Sequence, residues 1–253
     1  MCLLLLAYRV HAGYPIILAA NRDEFHERAA APAHWWDEPR IFAGRDREAG
    51  GTWMGVSRGG RIAAVTNYRD PSITEPGVAS RGELPVAALA GRDEDKLLEY
   101  FRGEGHRYNG FNLLFGSARR LLYLSNHGER RARIAAGIYG LSNHGLDTPW
   151  PKVVRGKERL LAYLKGHGRP EPEGLFELLR DRHRPSDAAL PETGIGLEWE
   201  RLLAPMFIVT HRYGTRCSTA IIVDARNEIL FAERSFDRQG HPTGSVVERI
   251  QAG

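Results

Sequence analysis

The chain is poor in cysteine: only Cys2 and Cys217 occur in 253 residues. Two thiols make no disulfide framework, which points to a reducing compartment. Long apolar runs are missing too. The run Leu3 to Ala7 is far too short to cross a bilayer, so no membrane span is expected. It has no basic segment before it and no small-residue cleavage site after it, so no signal peptide is expected and the default location is cytoplasmic. No Gly-x-Gly-x-x-Gly follows a strand and no Walker loop occurs, which argues against a nucleotide site. A Gly-x-Ser-x-Gly elbow is absent. The ten histidines show no metal-ligand spacing. A large excess of one charge sign is missing as well. The net charge is +4 with arginines scattered rather than striped, which argues against nucleic acid and leaves anionic small molecules open.

What is present reads as a soluble globular chain, 42% hydrophobic and 26% charged, long enough to bury a substantial core. Residues 2–8 and 15–20 read as buried strands joined by a hairpin loop. The polar run Asn21-Arg22-Asp23-Glu24 follows directly. If the strand continues, Asn21 and Asp23 share one face and Arg22 and Glu24 the other. Residues 32–50, with Trp35 and Trp36, read as a loop, the indoles either packed or forming a ligand platform. Residues 52–58 and 61–66 form a hairpin across Gly59-Gly60. Ser80 and Glu83 fit a capping box opening a helix at Leu84–Ala90, and Asp93–Phe101 reads as another. Strands are expected at 111–116, 120–124 and 137–141. Thr148 is expected to cap a helix running to about Lys165, with a further helix near 172–180. Strands at 206–210, 217–224 and 228–233 close the chain. Segregated runs of strands and helices favour an α+β layered fold.

Cys2 carries the sharpest chemistry. Once Met1 is removed, a terminal cysteine holds a thiol and a free α-amine, nucleophile and base on one residue. The plain alternative is a small buried residue opening a strand. Cys217 follows Arg216, so on a regular strand their side chains point opposite ways, which would turn Cys217 away from Cys2.

Several motifs in order resemble the NRDE family, to which the Transport and Golgi organisation protein 2 homologues belong. They are Asn21-Arg22-Asp23-Glu24, Gly50-Gly51-Thr52-Trp53-Met54-Gly55, Thr66-Asn67-Tyr68-Arg69, Ser80-Arg81-Gly82, Asn109-Gly110-Phe111-Asn112, and Gly140-Leu141-Ser142-Asn143 with Leu146 to Lys152. Thr215 to Thr219 and Glu233 to Phe236 extend the match. The resemblance implies a single domain over residues 1–253 with the four-layer αββα sandwich of the N-terminal-nucleophile hydrolases. It implies a site around Cys2 similar to that of cysteine amidases such as bile salt hydrolases and penicillin V acylases. Carried over by position, Cys2 is the nucleophile, Arg22 lowers its thiol pKa, and Asp23 holds the α-amine. Asn67 and Asn143 donate to an oxyanion, and Arg216 is the later cation. Those amidases separate their Arg and Asp along the chain, whereas Arg22 and Asp23 are adjacent, so the acid role stays open between Asp23 and Glu24.

Two functions follow. One is an amidohydrolase of non-peptide carbon–nitrogen bonds in a small-molecule substrate, with no cofactor. The other is a non-catalytic carrier of an amphipathic ligand such as haem or a lipid, using Trp35, Trp36 and His34.

Overall fold

The computed structural model describes residues 3–73, 75, 78–91, 93–127 and 131–252. Met1 and Cys2 lie outside the described residues, so the strand expected to open at residue 2 is seen from Leu3. In chain order the elements are β1 (Leu3–His11), β2 (Tyr14–Phe25), β3 (Ala30–Trp35), β4 (Ile41–Asp46), β5 (Met54–Ser57) and β6 (Ile62–Asn67). Then come α1 (Glu83–Ala90), α2 (Glu94–Glu104), β7 (Phe111–Gly116), β8 (Leu121–Ser125), β9 (Arg131–Arg133) and β10 (Gly137–Leu141). The rest is α3 (Pro151–Gly166), α4 (Pro172–Leu179), α5 (Leu197–Leu203), β11 (Tyr213–Val223), β12 (Glu228–Phe236) and β13 (Pro242–Gln251).

The strands form two antiparallel sheets, ordered β10-β1-β2-β11-β12-β13 and β3-β4-β5-β6-β7-β8-β9. The apolar run in β1 is explained by burial on both faces. Leu3, Leu5 and Ala7 pack with Val153 and Leu160 of α3 and with Leu175 and Leu179 of α4. Leu4, Leu6 and Tyr8 face the other way, into the core between the sheets, against Phe42, Met54 and Phe231. Leu84 and Leu89 of α1 and Phe101 of α2 cover the outer face of the second sheet. The layers are therefore helix, sheet, sheet, helix, the αββα sandwich expected. Each fully buried Leu of β1 contributes roughly 1.5–3 kcal/mol of transfer free energy.

Several local expectations need correction. Residues 32–50 are not a loop: β3 and β4 pair there, Trp35 opposite Phe42. Neighbours on a strand point to opposite faces, so Trp35 packs against the inter-sheet core while Trp36, just beyond β3, enters the outer core. The turn between β5 and β6 holds three residues, 58–60, between the bonded pair Ser57 and Arg61, rather than two. Ser57 N–H donates to the Arg61 carbonyl, and Gly60 adopts φ of 78°, the left-handed geometry of a three-residue hairpin loop. Ser80 does not cap α1; Gly82 holds that position without a side-chain cap bond. Thr148 does not cap α3 either, because its hydroxyl is used elsewhere and Pro151 opens the helix. Residues 206–210 are not a strand: Met206, Phe207 and Ile208 are buried, but the stretch makes only an isolated bridge, Val209 to Gly214. The helix α5 and the largely exposed strand β13 were not foreseen.

Candidate functional site

The strand β2 does continue through Asn21–Glu24, and its alternation sorts the four residues. Leu3, the first described residue of β1, pairs with Asn21. Asn21 is fully buried among the helical connections. Its Nδ2 donates to the carbonyls of Leu179 (3.1 Å) and Met206 (2.7 Å), and its Oδ1 accepts from Ser218 Oγ (2.6 Å). Asp23 shares that face, accepting from Thr215 Oγ1 at 2.6 Å. These two residues tie β2 to β11.

Arg22 crosses to the second sheet. Its side chain is only 4% exposed, and its guanidinium lies over the Trp53 ring at 4.4 Å. Nη2 sits 3.4 Å from Asp46 Oδ2. Nη1 is buried with no hydrogen-bond partner among the described residues. Trp53 can take this position because residue 44 is glycine: a Cβ there would stand 2.3 Å from the indole. Asp46 is committed mainly to Arg28, whose Nε donates at 2.7 Å, and to the N–H groups of Glu48 and Ala49. Burial pushes its carboxyl pKa up, but the Arg28 bond and those amides outweigh it, leaving Asp46 below the ordinary carboxylate value.

Arg22 and Trp53 line an open cleft of about 310 Å³, with Glu24, Asp46, Asn67 and Arg81 among the residues around it. Arg81 arrives on the connection before α1. That connection is strapped to the β4–β5 link by Thr52 N–H to the Gly82 carbonyl, 3.0 Å. The approach requires glycine at residue 51, where a Cβ would stand 2.5 Å from the Gly82 backbone.

Asn67 ends β6 at the cleft, and Asn143 follows the end of β10. The two strand exits are bonded together. Asn143 Nδ2 donates to the Asn67 carbonyl (3.1 Å), and Arg69 N–H donates to the Asn143 carbonyl (2.6 Å). The next residues form a relay. Tyr68 O–H donates to His144 Nε2 (2.8 Å), His144 Nδ1–H to Thr148 Oγ1 (2.9 Å), and Thr148 O–H to the Gly145 carbonyl (2.9 Å). The last bond assigns the His144 proton to Nδ1, since the Thr148 hydroxyl spends its own hydrogen on Gly145.

Burial lowers the His144 pKa from its ordinary 6.5. A histidine depressed in the folded state contributes stability that is present above its unfolded pKa and is lost as pH falls toward the folded one. Urea midpoints measured from pH 8 down to pH 5 are therefore expected to drop below about pH 6.5, with a shallower drop in His144→Gln. Parallel curves for the two proteins would show that His144 carries no such linkage. His26, also lowered by burial, persists in both proteins and cancels in the comparison.

Arg216 and Cys217 depart from the expected alternation. The pairing runs Thr215 to Asp23 and then Cys217 to Arg22, so the register shifts and Arg216 is the extra residue of a bulge. The step that was to turn Cys217 the opposite way from Arg216 is thereby lost. Arg216 Nη1 donates to the carbonyls of Phe25 (2.9 Å) and Arg28 (3.1 Å). Burial lowers its pKa, and the Arg22 charge adds to the effect. Cys217 is buried in the inter-sheet core, its Sγ 3.6 Å from Glu233 Oε2. Burial pushes both the Cys217 and the Glu233 pKa up.

Of the site residues expected from sequence, the structure brings Arg22 and Asn67 to one cleft and bonds Asn143 to Asn67. Asp23 and Arg216 are not among the residues around that cleft, whereas Glu24 is. Cys2 lies outside the described residues. The parts played by Trp53, Asp46 and Arg81 were not assigned from sequence, although Trp53 and Arg81 sat inside quoted motifs. Among the described residues no cluster of three or more His, Cys, Asp or Glu could hold a metal, and no helix is long and apolar enough to cross a membrane.

A family model described as Transport and Golgi organisation 2 matches residues 1–238. The chain belongs to that family. The Transport and Golgi organization protein 2 homolog of Bos taurus is 41% identical over 243 residues, covering 88% of this chain and 87% of the relative. The Homo sapiens homolog is 36% identical over 242 residues with the same coverage, 88% and 87%. Among solved structures, a cysteine-to-alanine mutant of conjugated bile acid hydrolase from Clostridium perfringens superposes with a TM-score of 0.54. It covers 99% of this chain and 92% of that one at 9% identity, a likeness of fold alone. For this member of the Transport and Golgi organisation 2 family, the fold is thus that of an N-terminal-nucleophile hydrolase.

Proposed function

We propose that the protein is a cysteine amidohydrolase acting on a non-peptide carbon–nitrogen bond of a small molecule, with Cys2 as nucleophile after loss of Met1. The observation that carries this reading is the cleft beside the start of β1. Leu3, one peptide bond from Cys2, pairs with Asn21, and the next residue of β2 is the buried cation of that cleft. In the proposed reaction the Cys2 thiol passes its proton to the α-amine, and the sulfur attacks the amide carbon. The carbonyl electron pair moves onto oxygen, where the Asn67 and Asn143 carboxamides donate. The C–N bond breaks, the leaving amine takes the proton from the α-ammonium, and a thioester remains. Water, deprotonated by the same α-amine, hydrolyses it and frees the thiol. Arg22 favours the thiolate by its charge, and Asp23 holds the α-amine. Arg216 adds positive charge behind Arg22.

Treatment with a thiol-directed acylating probe, followed by mass mapping, tests this. One adduct is expected on Cys2 of a chain lacking Met1. Cys217 is expected to stay unlabelled, being 4% exposed with a raised pKa. Absence of any Cys2 adduct, or labelling of Cys217 alone, sinks the proposal. The carrier reading gains no support from Trp35 and Trp36, whose rings pack into two different cores.

A further inference from the structure

The cleft carries more cationic hydrogen-bond donors than its carboxylates take up. Its carboxylates are largely committed. Asp46 is bonded by Arg28 and two backbone amides, and Glu24 Oε1 accepts from the Phe25 N–H at 2.9 Å. Glu75 is the remaining acid around the cleft, and it is exposed. Against these stand two arginines with N–H groups that take no partner among the described residues. Arg22 holds Nη1 buried and unpartnered among the described residues. Arg81 donates from Nη1 to the Gly110 carbonyl, 3.2 Å, a neutral acceptor. An Arg in such a setting gains most from a planar or tetrahedral oxyanion that takes two N–H bonds at once.

We infer that the cleft binds an oxyanion group of its ligand, a carboxylate or a phosphate, on Arg81 with Arg22 beneath. The inference deepens the hydrolase reading: the amide substrate is an anion, held by Arg81, while the Arg22 charge serves both that anion and the thiolate. Burial lowers the Arg81 pKa despite the Glu24 charge nearby, and the charge of a bound anion offsets that penalty.

The test uses the full-length Cys2→Ala protein, in which no turnover complicates binding. Inorganic phosphate, succinate and neutral succinamide are titrated at ionic strength matched with chloride, reading tryptophan fluorescence from Trp53 and the thermal midpoint. Saturable binding of phosphate or succinate is expected, none of succinamide, and the tighter of the two anions identifies the group. Arg81→Gln is expected to weaken that binding at least tenfold and Arg81→Lys less. Gly51→Ala, which pushes Gly82 and so Arg81 out of place, is expected to weaken it as well. Phenylglyoxal modification of the unsubstituted protein gives a readout independent of how any variant folds: Arg81 is protected by the bound anion and not by chloride. Binding no tighter than chloride, or an unprotected Arg81, overturns the inference. Anion binding without acylation of Cys2 would remove the hydrolase reading and leave this one standing; acylation without anion binding would do the reverse.

Discussion

Cys2→Ala is expected to fold as the parent does and to lose hydrolysis by a factor on the order of 10⁶, the scale seen when a hydrolase loses its nucleophile. The substitution removes sulfur and nothing else, since the alanine variant keeps a free α-amine once Met1 is cleaved. β1 is held from Leu3 to Tyr8 by β2 on one side and, from Leu4, by β10 on the other, so its packing does not depend on the thiol. Cys2→Ser tests a second point. A hydroxyl is a far weaker nucleophile at neutral pH, because the α-amine must remove a proton that Ser holds much more tightly than Cys. Hydrolysis of a panel of activated anilides, with circular dichroism on each variant, makes the measurement. Asn67→Ala and Asn143→Ala are expected to cost only about 10²–10³ each, as donors to a developing oxyanion. Cys2→Ala that still hydrolyses at the parent rate would remove the mechanism altogether. Unchanged rates in both Asn variants would remove only the oxyanion assignment.

How much of this was legible in the sequence depended on what each residue answers to. Strand pairs with strong apolar alternation or tight turns, such as β5–β6 and β7–β8, could be read because local pattern and fold agree. The αββα architecture came through the motifs, since order along the chain carries more than periodicity can. β3 and β4 were lost because Pro32, Pro39 and two adjacent Trp look like loop, and their pairing is explained only by a core on each side. β13 is a mostly exposed edge strand with no apolar stripe to announce it. The stretch 206–210 gave the opposite error: Met206 to Ile208 are apolar because they pack, although Thr210 Oγ1 folds the segment into a turn with Tyr213. At the site, alternation placed Arg22 and Glu24 together correctly, since β2 is regular there. It failed at Arg216 and Cys217, where the bulge inserts a residue. The glycines at 44 and 51 stood in plain view, but their purpose depends on Trp53 and Gly82 approaching from distant segments.

Glu200→Ala is expected to be the most destabilising single change near the site, by about 3–5 kcal/mol, the range found when one partner of a buried ion pair is removed. Glu200 is 4% exposed, and its Oε2 accepts from Arg69 Nη1 at 2.8 Å. Its Oε1 accepts from the N–H and the hydroxyl of Thr193, at 3.0 and 2.6 Å. Arg69 is packed over the Trp150 ring at 4.8 Å, so it cannot swing into water without giving up that stack. The truncation leaves a desolvated guanidinium and two stranded donors on Thr193. For a chain of this size that loss corresponds to a thermal midpoint lower by roughly 10 °C. Glu200→Gln keeps the shape and the acceptor oxygen but not the charge, and is expected to fall between. The damage reaches the site through Arg69, whose main-chain N–H and Nη2 both engage Asn143. Glu200→Ala should therefore slow acylation of Cys2 as well as unfold early, whereas Asn143→Ala should slow acylation with little change in midpoint. A Glu200→Ala loss below about 1 kcal/mol, the worth of an exposed pair, would mean that Arg69 finds water after all. Asn143 would then owe its position to the Asn67 carbonyl rather than to the ion pair behind it.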